Sequence, residues 1–259
     1  MSKRVFQLLL IVCLMTGMSW AAEDPFVGEW KLNSSKSKLT DQMKVESVAG
    51  NKYAFDFGGG TPETIAADGT DQPGGDGTTL SVTIEGPDTW KVVRKKDGRT
   101  RITAAWKLSK DGNTLTDDFT SIGANGSSST VNYVYKRTAG TSGFAGTWES
   151  TSATMDSVFV LNVQPYEGDG LSFVVPSEGG TKNVKFDGKD HPNVGPNVGP
   201  GSTSSARRAN ELTLEVTDKF EGKTVDTQEM KLSADRKTLT LTVHAQGRSE
   251  PNILVFERQ

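Results

Sequence analysis

Hydrophobic and polar residues alternate most regularly over residues 101–108. Ile102, Ala104, Trp106 and Leu108 share one face, and Arg101, Thr103, Ala105 and Lys107 share the other. A period of two with one apolar side predicts a β-strand lying with one face on a core. Residues 90–95 read as a second strand, and Lys96-Asp97-Gly98-Arg99 supplies an Asp-Gly turn that joins the two as a hairpin. Further along, residues 212–217, the turn Phe220-Glu221-Gly222-Lys223 and residues 224–232 repeat this arrangement. Another tight turn, Lys110-Asp111-Gly112-Asn113, leads into residues 114–120, and strands at 131–137, 238–244 and 253–258 complete the pattern. No segment beyond residue 21 has helical periodicity. Short strands joined by tight turns, in a chain rich in Thr, Ser, Gly and Val, predict an all-β protein.

The same strand pattern occurs twice because the sequence itself does. Phe26-Val27-Gly28-Glu29-Trp30 returns as Phe144-Ala145-Gly146-Thr147-Trp148, and Asp68-Gly69-Thr70-Asp71-Gln72-Pro73 as Asp187-Gly188-Lys189-Asp190-His191-Pro192. Lys107-Leu108-Ser109 returns as Lys231-Leu232-Ser233, and Val134-Tyr135-Lys136-Arg137 as Val255-Phe256-Glu257-Arg258. The offset drifts slightly along the chain, as small loop insertions between fixed strands produce. This predicts two tandem copies of one domain, residues 22–138 and 144–259, joined by a small, flexible linker at 139–143. Each copy is expected to hold roughly seven to nine strands, as an up-and-down barrel or a sandwich.

The Gly-x-Trp at Gly28 and Trp30, again at Gly146 and Trp148, opens a β-rich unit that ends in an Arg each time. In this the chain resembles the lipocalin-like, or calycin, group of β-barrels, and its longer opening Phe26 to Lys38, with Trp30-Lys31-Leu32-Asn33 and Lys36-Ser37-Lys38, more specifically resembles small exported bacterial domains grouped as lipocalin-like. The resemblance implies two tandem antiparallel up-and-down β-barrels of lipocalin-like type. It also implies that the Trp of the first strand lies under an Arg from the last, with Arg137 over Trp30 and Arg258 over Trp148, closing each barrel. Copy two departs from the pattern with Glu149-Ser150-Thr151 where copy one has Lys31-Leu32-Asn33, and neither copy has the C-terminal helix of a typical lipocalin.

Residues 1–21 read as an export signal: Lys3 and Arg4, then an apolar run over residues 5–17, then Ser19-Trp20-Ala21 as a small-x-small cleavage site. That run is too short to cross a bilayer as a helix, and no later stretch is long and apolar enough. The expected location is periplasmic or secreted. Cys13, the single cysteine, falls inside the signal, so the processed chain has no disulfide and no thiolate metal site. Loss of Lys3 and Arg4 moves the formal net charge from −3 to −5, and the basic residues are scattered, which argues against nucleic acid as a partner.

Candidate chemistry is sparse. The repeated Asp-Gly-x-Asp-x-Pro places Asp68 with Asp71, and Asp187 with Asp190, as potential calcium ligands. The alternating acids of a calcium loop are missing, however, and the same residues build ordinary turns. His191 and His244 stand in different parts of copy two without counterparts, and His191 reads as an exposed loop residue. No serine sits in a nucleophile-elbow pattern. No catalytic residue, cofactor or metal is therefore assigned.

The more useful signal is a difference between the copies. Ile102 and Ala104 align with Asp226 and Gln228, while Trp106 and Leu108 align with Met230 and Leu232. If that face is internal in both copies, the second barrel carries polar groups inside, where they bond to each other, to water or to a ligand. If the strand is an edge or rotated, they face solvent. On the first alternative copy one is the packed barrel and copy two the receptive one. Phe173, Arg207, Asp226, Gln228 and Met230 are then the candidate ligand-binding residues; Arg207 and Arg208, beside a Gly/Pro loop at 193–202, either face an anionic ligand at the mouth or lie on the outer surface. The expected function is non-catalytic binding of a small apolar or amphipathic molecule. A structural or protein-interaction module with solid barrels is the alternative, and an enzyme is disfavoured.

Overall fold

A computed structural model of the chain describes residues 24–58, 62–123, 126–155, 158–196 and 198–259. The expected export signal at 1–21 and Cys13 lie outside them. In chain order the strands are β1 (Gly28–Leu32), β2 (Gln42–Val48), β3 (Lys52–Asp56), β4 (Glu63–Ala66), β5 (Gln72–Pro73), β6 (Thr78–Gly86), β7 (Thr89–Lys96), β8 (Arg99–Leu108), β9 (Thr114–Ile122) and β10 (Ser128–Ser142). They continue with β11 (Ala145–Met155), β12 (Val160–Tyr166), β13 (Gly170–Val175), β14 (Gly180–Val184), β15 (His191–Pro192), β16 (Ser202–Asn210), β17 (Thr213–Phe220), β18 (Lys223–Leu232), β19 (Thr238–Ala245) and β20 (Asn252–Arg258). Each sequence copy thus holds ten strands, more than its alternation reveals, because β5 and β15 are only two residues long.

The strands form two ten-stranded antiparallel sheets, each nearly closed into a barrel. The predicted hairpins are present. Asp97 and Gly98, and likewise Glu221 and Gly222, all have positive φ, the paired left-handed conformation of a type I′ turn between twisted strands. Each barrel has its own core, built around Trp90, Trp106 and Trp148 in one and around Trp30, Phe173 and Phe256 in the other.

The sheets do not coincide with the sequence copies. One runs β4-β3-β2-β11-β10-β9-β8-β7-β6-β5 and the other β14-β13-β12-β1-β20-β19-β18-β17-β16-β15. The opening strands of the two copies have changed places: β1 lies between β12 and β20, and β11 lies between β2 and β10. Barrel one is therefore the continuous stretch β2–β11, and barrel two is β12–β20 completed by β1.

The cause is the length of the connection between copies. Residues expected to form a flexible linker are instead the end of β10, and Ser142 pairs with Ala145 across a tight turn in which Gly143 has φ 56°. A turn that short folds the following strand back on the one just finished. β11 thus fills the place beside β10 that closes barrel one, and β1 finds its partners in β12 and β20 of the second copy. The chain passes between barrels through residues 33–41, where Lys38 pairs with Ile253 of β20 and Asp41 then meets Ser150 of β11.

The expected closure pairs are corrected accordingly. Arg258 stacks on Trp30, its guanidinium carbon 4.0 Å from the ring centroid, and Arg137 stacks on Trp148 at 4.2 Å. Both arginines also donate to backbone carbonyls beside the motif, Arg258 to Pro25 and Val27 and Arg137 to Gly143 and Ala145. Each indole N–H donates to the carbonyl of the Phe four residues earlier, at 2.9 Å from Trp30 to Phe26 and 3.0 Å from Trp148 to Phe144. The glycine of the motif makes room for the guanidinium: a Cβ on Gly28 would lie 2.7 Å from Arg258 Nη1, and one on Gly146 2.6 Å from Arg137 Nη1. The whole Phe-x-Gly-x-Trp signature is thus a closure device, used between copies rather than within them.

Candidate functional site

Each barrel holds a cavity that opens to solvent. The larger, about 450 Å³, lies in barrel two with Phe159, Leu161, Phe173, Leu254 and Phe256 among its apolar walls. Met230 and Gln228 from β18 face into it, together with Glu178, Thr181 and Lys182, and Asn193, Val198, Gly199 and Ser202 of the Gly/Pro segment border it.

The polar side of this cavity is a connected network. Lys182 reaches Asp218 and, at 3.2 Å, Gln228 Oε1. The Gln228 amide donates to Asp218 and to Asp226, both at 2.8 Å. Ser204, fully buried, donates to Asp218 at 2.6 Å and is linked to Asn193 at 3.0 Å. Burial, with the Asp218 charge nearby, holds the Asp226 carboxyl above its ordinary range, while Gln228 and Lys182 pull the other way. Burial likewise raises Glu178, offset in part by Lys182.

Of the residues expected in a site here, Phe173, Gln228 and Met230 line the cavity, and Asp226 stands behind Gln228 as its hydrogen-bond partner. The face of β18 that carries Asp226 and Gln228 is internal, which settles that alternative. Arg207 is elsewhere. Its side chain is 70% exposed and pairs with Glu215 on the outer surface, because the pleat turns the flanking Ala206 inward and Arg207 outward. Arg208 does not face the mouth either: it pairs with Asp24 and stacks on Phe186 at 4.4 Å, fastening the chain just before β1 to barrel two.

Barrel one is not solid, contrary to expectation. It holds a cavity of about 250 Å³ lined by Met43, Leu80, Val92, Ile102, Ala104 and the aromatic residues Phe57, Trp106, Phe119, Tyr133 and Tyr135. Asp41, Arg94 and Asp117 also line it. Asp41 accepts from Tyr135 at 2.7 Å and pairs at 2.9 Å with Arg248, which reaches across from the β19–β20 turn and also donates to the Gln42 and Phe57 carbonyls. Arg94 is held by Glu63 at 3.0 and 3.1 Å.

Asp117 was not singled out by sequence. It is 5% exposed, and burial pushes its carboxyl up to about 7, with the Asp41 and Asp118 charges adding to the effect. The cross-strand Trp106 indole draws it down in part but does not reach hydrogen-bond geometry. Among the described residues neither Asp117 Oδ1 nor Trp106 Nε1 has a hydrogen-bond partner. The alternation Leu115, Asp117, Phe119 on an inward face was the available signal.

The strand registers show that the barrels carry their polarity in different places. Trp106 faces Asp117 and Met230 faces Leu241, so Leu241 holds the place of Asp117. Conversely Asp226 and Gln228 hold the places of Ile102 and Ala104.

The repeated Asp-Gly-x-Asp-x-Pro proves to be a turn. Asp68 accepts from the Thr70 backbone and hydroxyl and Asp187 from the Lys189 backbone, while Asp71 pairs with Lys95 and Asp190 with Lys219. His191 is half-buried rather than exposed and bonds to Asp187 at 3.0 Å. Among the described residues no group of three acids, histidines or cysteines is placed to hold a metal ion, and no helix is long and apolar enough to cross a membrane. Comparison of the chain with protein-family models finds no match, and comparison with curated proteins finds none at a significant level.

Proposed function

We propose that this is an exported, non-catalytic binding protein of lipocalin-like type that takes a small, partly apolar molecule into barrel two. The observation that carries the reading is the cavity of about 450 Å³, whose apolar walls end on one polar side at Lys182 and Gln228. Its size falls within the usual range for small-molecule sites, and so does its composition of apolar walls with a few convergent polar groups. Phe173 and Met230 would contact the apolar body, and Gln228, held by Asp226 and Asp218, would orient a polar end. The alternative of solid barrels used only as an interaction module is disfavoured by the two cavities.

Native mass spectrometry of the protein purified from the periplasm without denaturation tests this, with a denatured sample as control. A discrete extra mass that vanishes on denaturation, and that is lost in Met230→Trp, supports the reading. A bare chain, also after incubation with fatty acids, isoprenoids and haem, refutes it in favour of an interaction module. The same spectrum reads directly whether residues 1–21 have been removed.

A further inference from the structure

The cavity of barrel one is chemically unlike that of barrel two. Its three charged lining residues are not equivalent: Asp41 is neutralised by Arg248 and bonded by Tyr135, and Arg94 is held by Glu63 and Thr78. Asp117 alone has no such counter-ion. Its buried Oδ1 and the neighbouring Trp106 Nε1 are the two polar atoms of this wall left without partners among the described residues. A buried acceptor without a donor is unfavourable, and a ligand that supplies the donor removes that penalty.

We propose that barrel one is a second binding site, taking a small amine with an apolar or aromatic body, with Asp117 as the counter-ion. Two carboxylates on the wall disfavour an anion. An ammonium group at Asp117 supplies the donor that its Oδ1 lacks, and Trp106, Tyr133, Phe57 and Phe119 line the space for an apolar or aromatic body. A space of about 250 Å³ suits a single ring on a short arm rather than a long chain. The site is independent of the one in barrel two.

Binding is linked to protonation. The groups facing Asp117 are Asp41, Trp106, Tyr133 and Tyr135, with Arg248 and Arg94 beyond them and the Asp118 charge on the opposite face of the strand. Free Asp117 titrates at about 7. An ammonium ligand selects the ionised form, so affinity rises about tenfold per pH unit below 7 and levels off above it.

The test is titration calorimetry of the chain from residue 22 onward with 2-phenylethylamine, 2-phenylethanol and phenylacetate. The expected result is at least a tenfold preference for the amine over the alcohol and no binding of phenylacetate. Asp117→Asn abolishes the preference, and Glu178→Gln in barrel two leaves it intact. Equal affinity for all three probes, no amine binding, or an undiminished preference in Asp117→Asn overturns the proposal. The pH series on the unaltered protein is decisive even if Asp117→Asn fails to fold: an affinity that does not change between pH 5.5 and 7 also overturns it.

Discussion

Arg258, the penultimate residue of the chain, lies over the indole of Trp30, one of the first residues to enter a strand, at 4.0 Å. β1 and β20, the first and last of the described strands, are thereby fastened together in barrel two, while Trp148 performs the same task in barrel one under Arg137.

Truncating the two tryptophans should therefore damage opposite barrels from those their sequence copies suggest. Trp30→Ala is expected to cost about 3–5 kcal/mol and to abolish hydrogen-exchange protection in β12 and β20. β2 and β10 should keep theirs. Trp148→Ala should do the reverse. Loss of protection in β2 or β10 on Trp30→Ala would contradict the strand exchange.

Fragments divide in the same way. A polypeptide of residues 41–155 contains every strand of barrel one and should fold alone, with dispersed amide resonances. Residues 139–259, the linker and a complete sequence copy, lack β1 and should not form a stable barrel until a peptide of residues 24–38 is added. A folded 139–259 fragment would show that β11 can serve either barrel.

Asp117 gives barrel one a pH-dependent stability. Its native carboxyl titrates at about 7, well above the ordinary value near 3.9. Between those limits the native state holds a proton that the unfolded chain has lost, so stability falls as pH rises from about 4 to about 7 and is level above. Asp41, Asp226 and Glu178 are raised too and add slopes of the same sign. Asp117→Asn should remove its share and be the more stable protein at pH 8, by on the order of 4 kcal/mol at most. Denaturant unfolding of both proteins from pH 5 to 8 measures this; parallel curves would count against it.

In barrel two the vulnerable partner is Lys182, whose removal leaves Asp218 buried beside Asp226. Lys182→Met should destabilise by about 3–5 kcal/mol, and the double variant Lys182→Met with Asp218→Leu should recover much of that loss. A double variant no more stable than Lys182→Met alone would show that Asp218 is carried by Ser204 and Gln228 without the lysine.

How much of this could be read beforehand differs from residue to residue. The strand at 99–108 and its hairpin were legible because period-two alternation and an Asp-Gly turn are local signals. The inward placement of Asp226 and Gln228 was legible once the two copies were aligned, since Met230 and Leu232 beside them keep the apolar face. The partner of each Trp was not: both closure schemes use the same motifs, and only the shortness of the turn between Ser142 and Ala145 distinguishes them. The charge of Arg207 leaves mouth and surface both open, and it is buried Ala206 next to it that decides for the surface. Asp117 went unseen because the acid interrupts an otherwise apolar face, and alternation is usually sought among hydrophobic residues alone.

The exchange of β1 and β11 also sets an order of events as the chain emerges from synthesis. Barrel one has all its strands once residue 155 has appeared, whereas barrel two must wait for the last one. β1 can pair along one edge once β12 has appeared, but its other edge waits for β20. β1 is thus one half of a clasp that shuts only when β20 has been made. A chain stopped short of β20 leaves the clasp undone and that edge of β1 exposed.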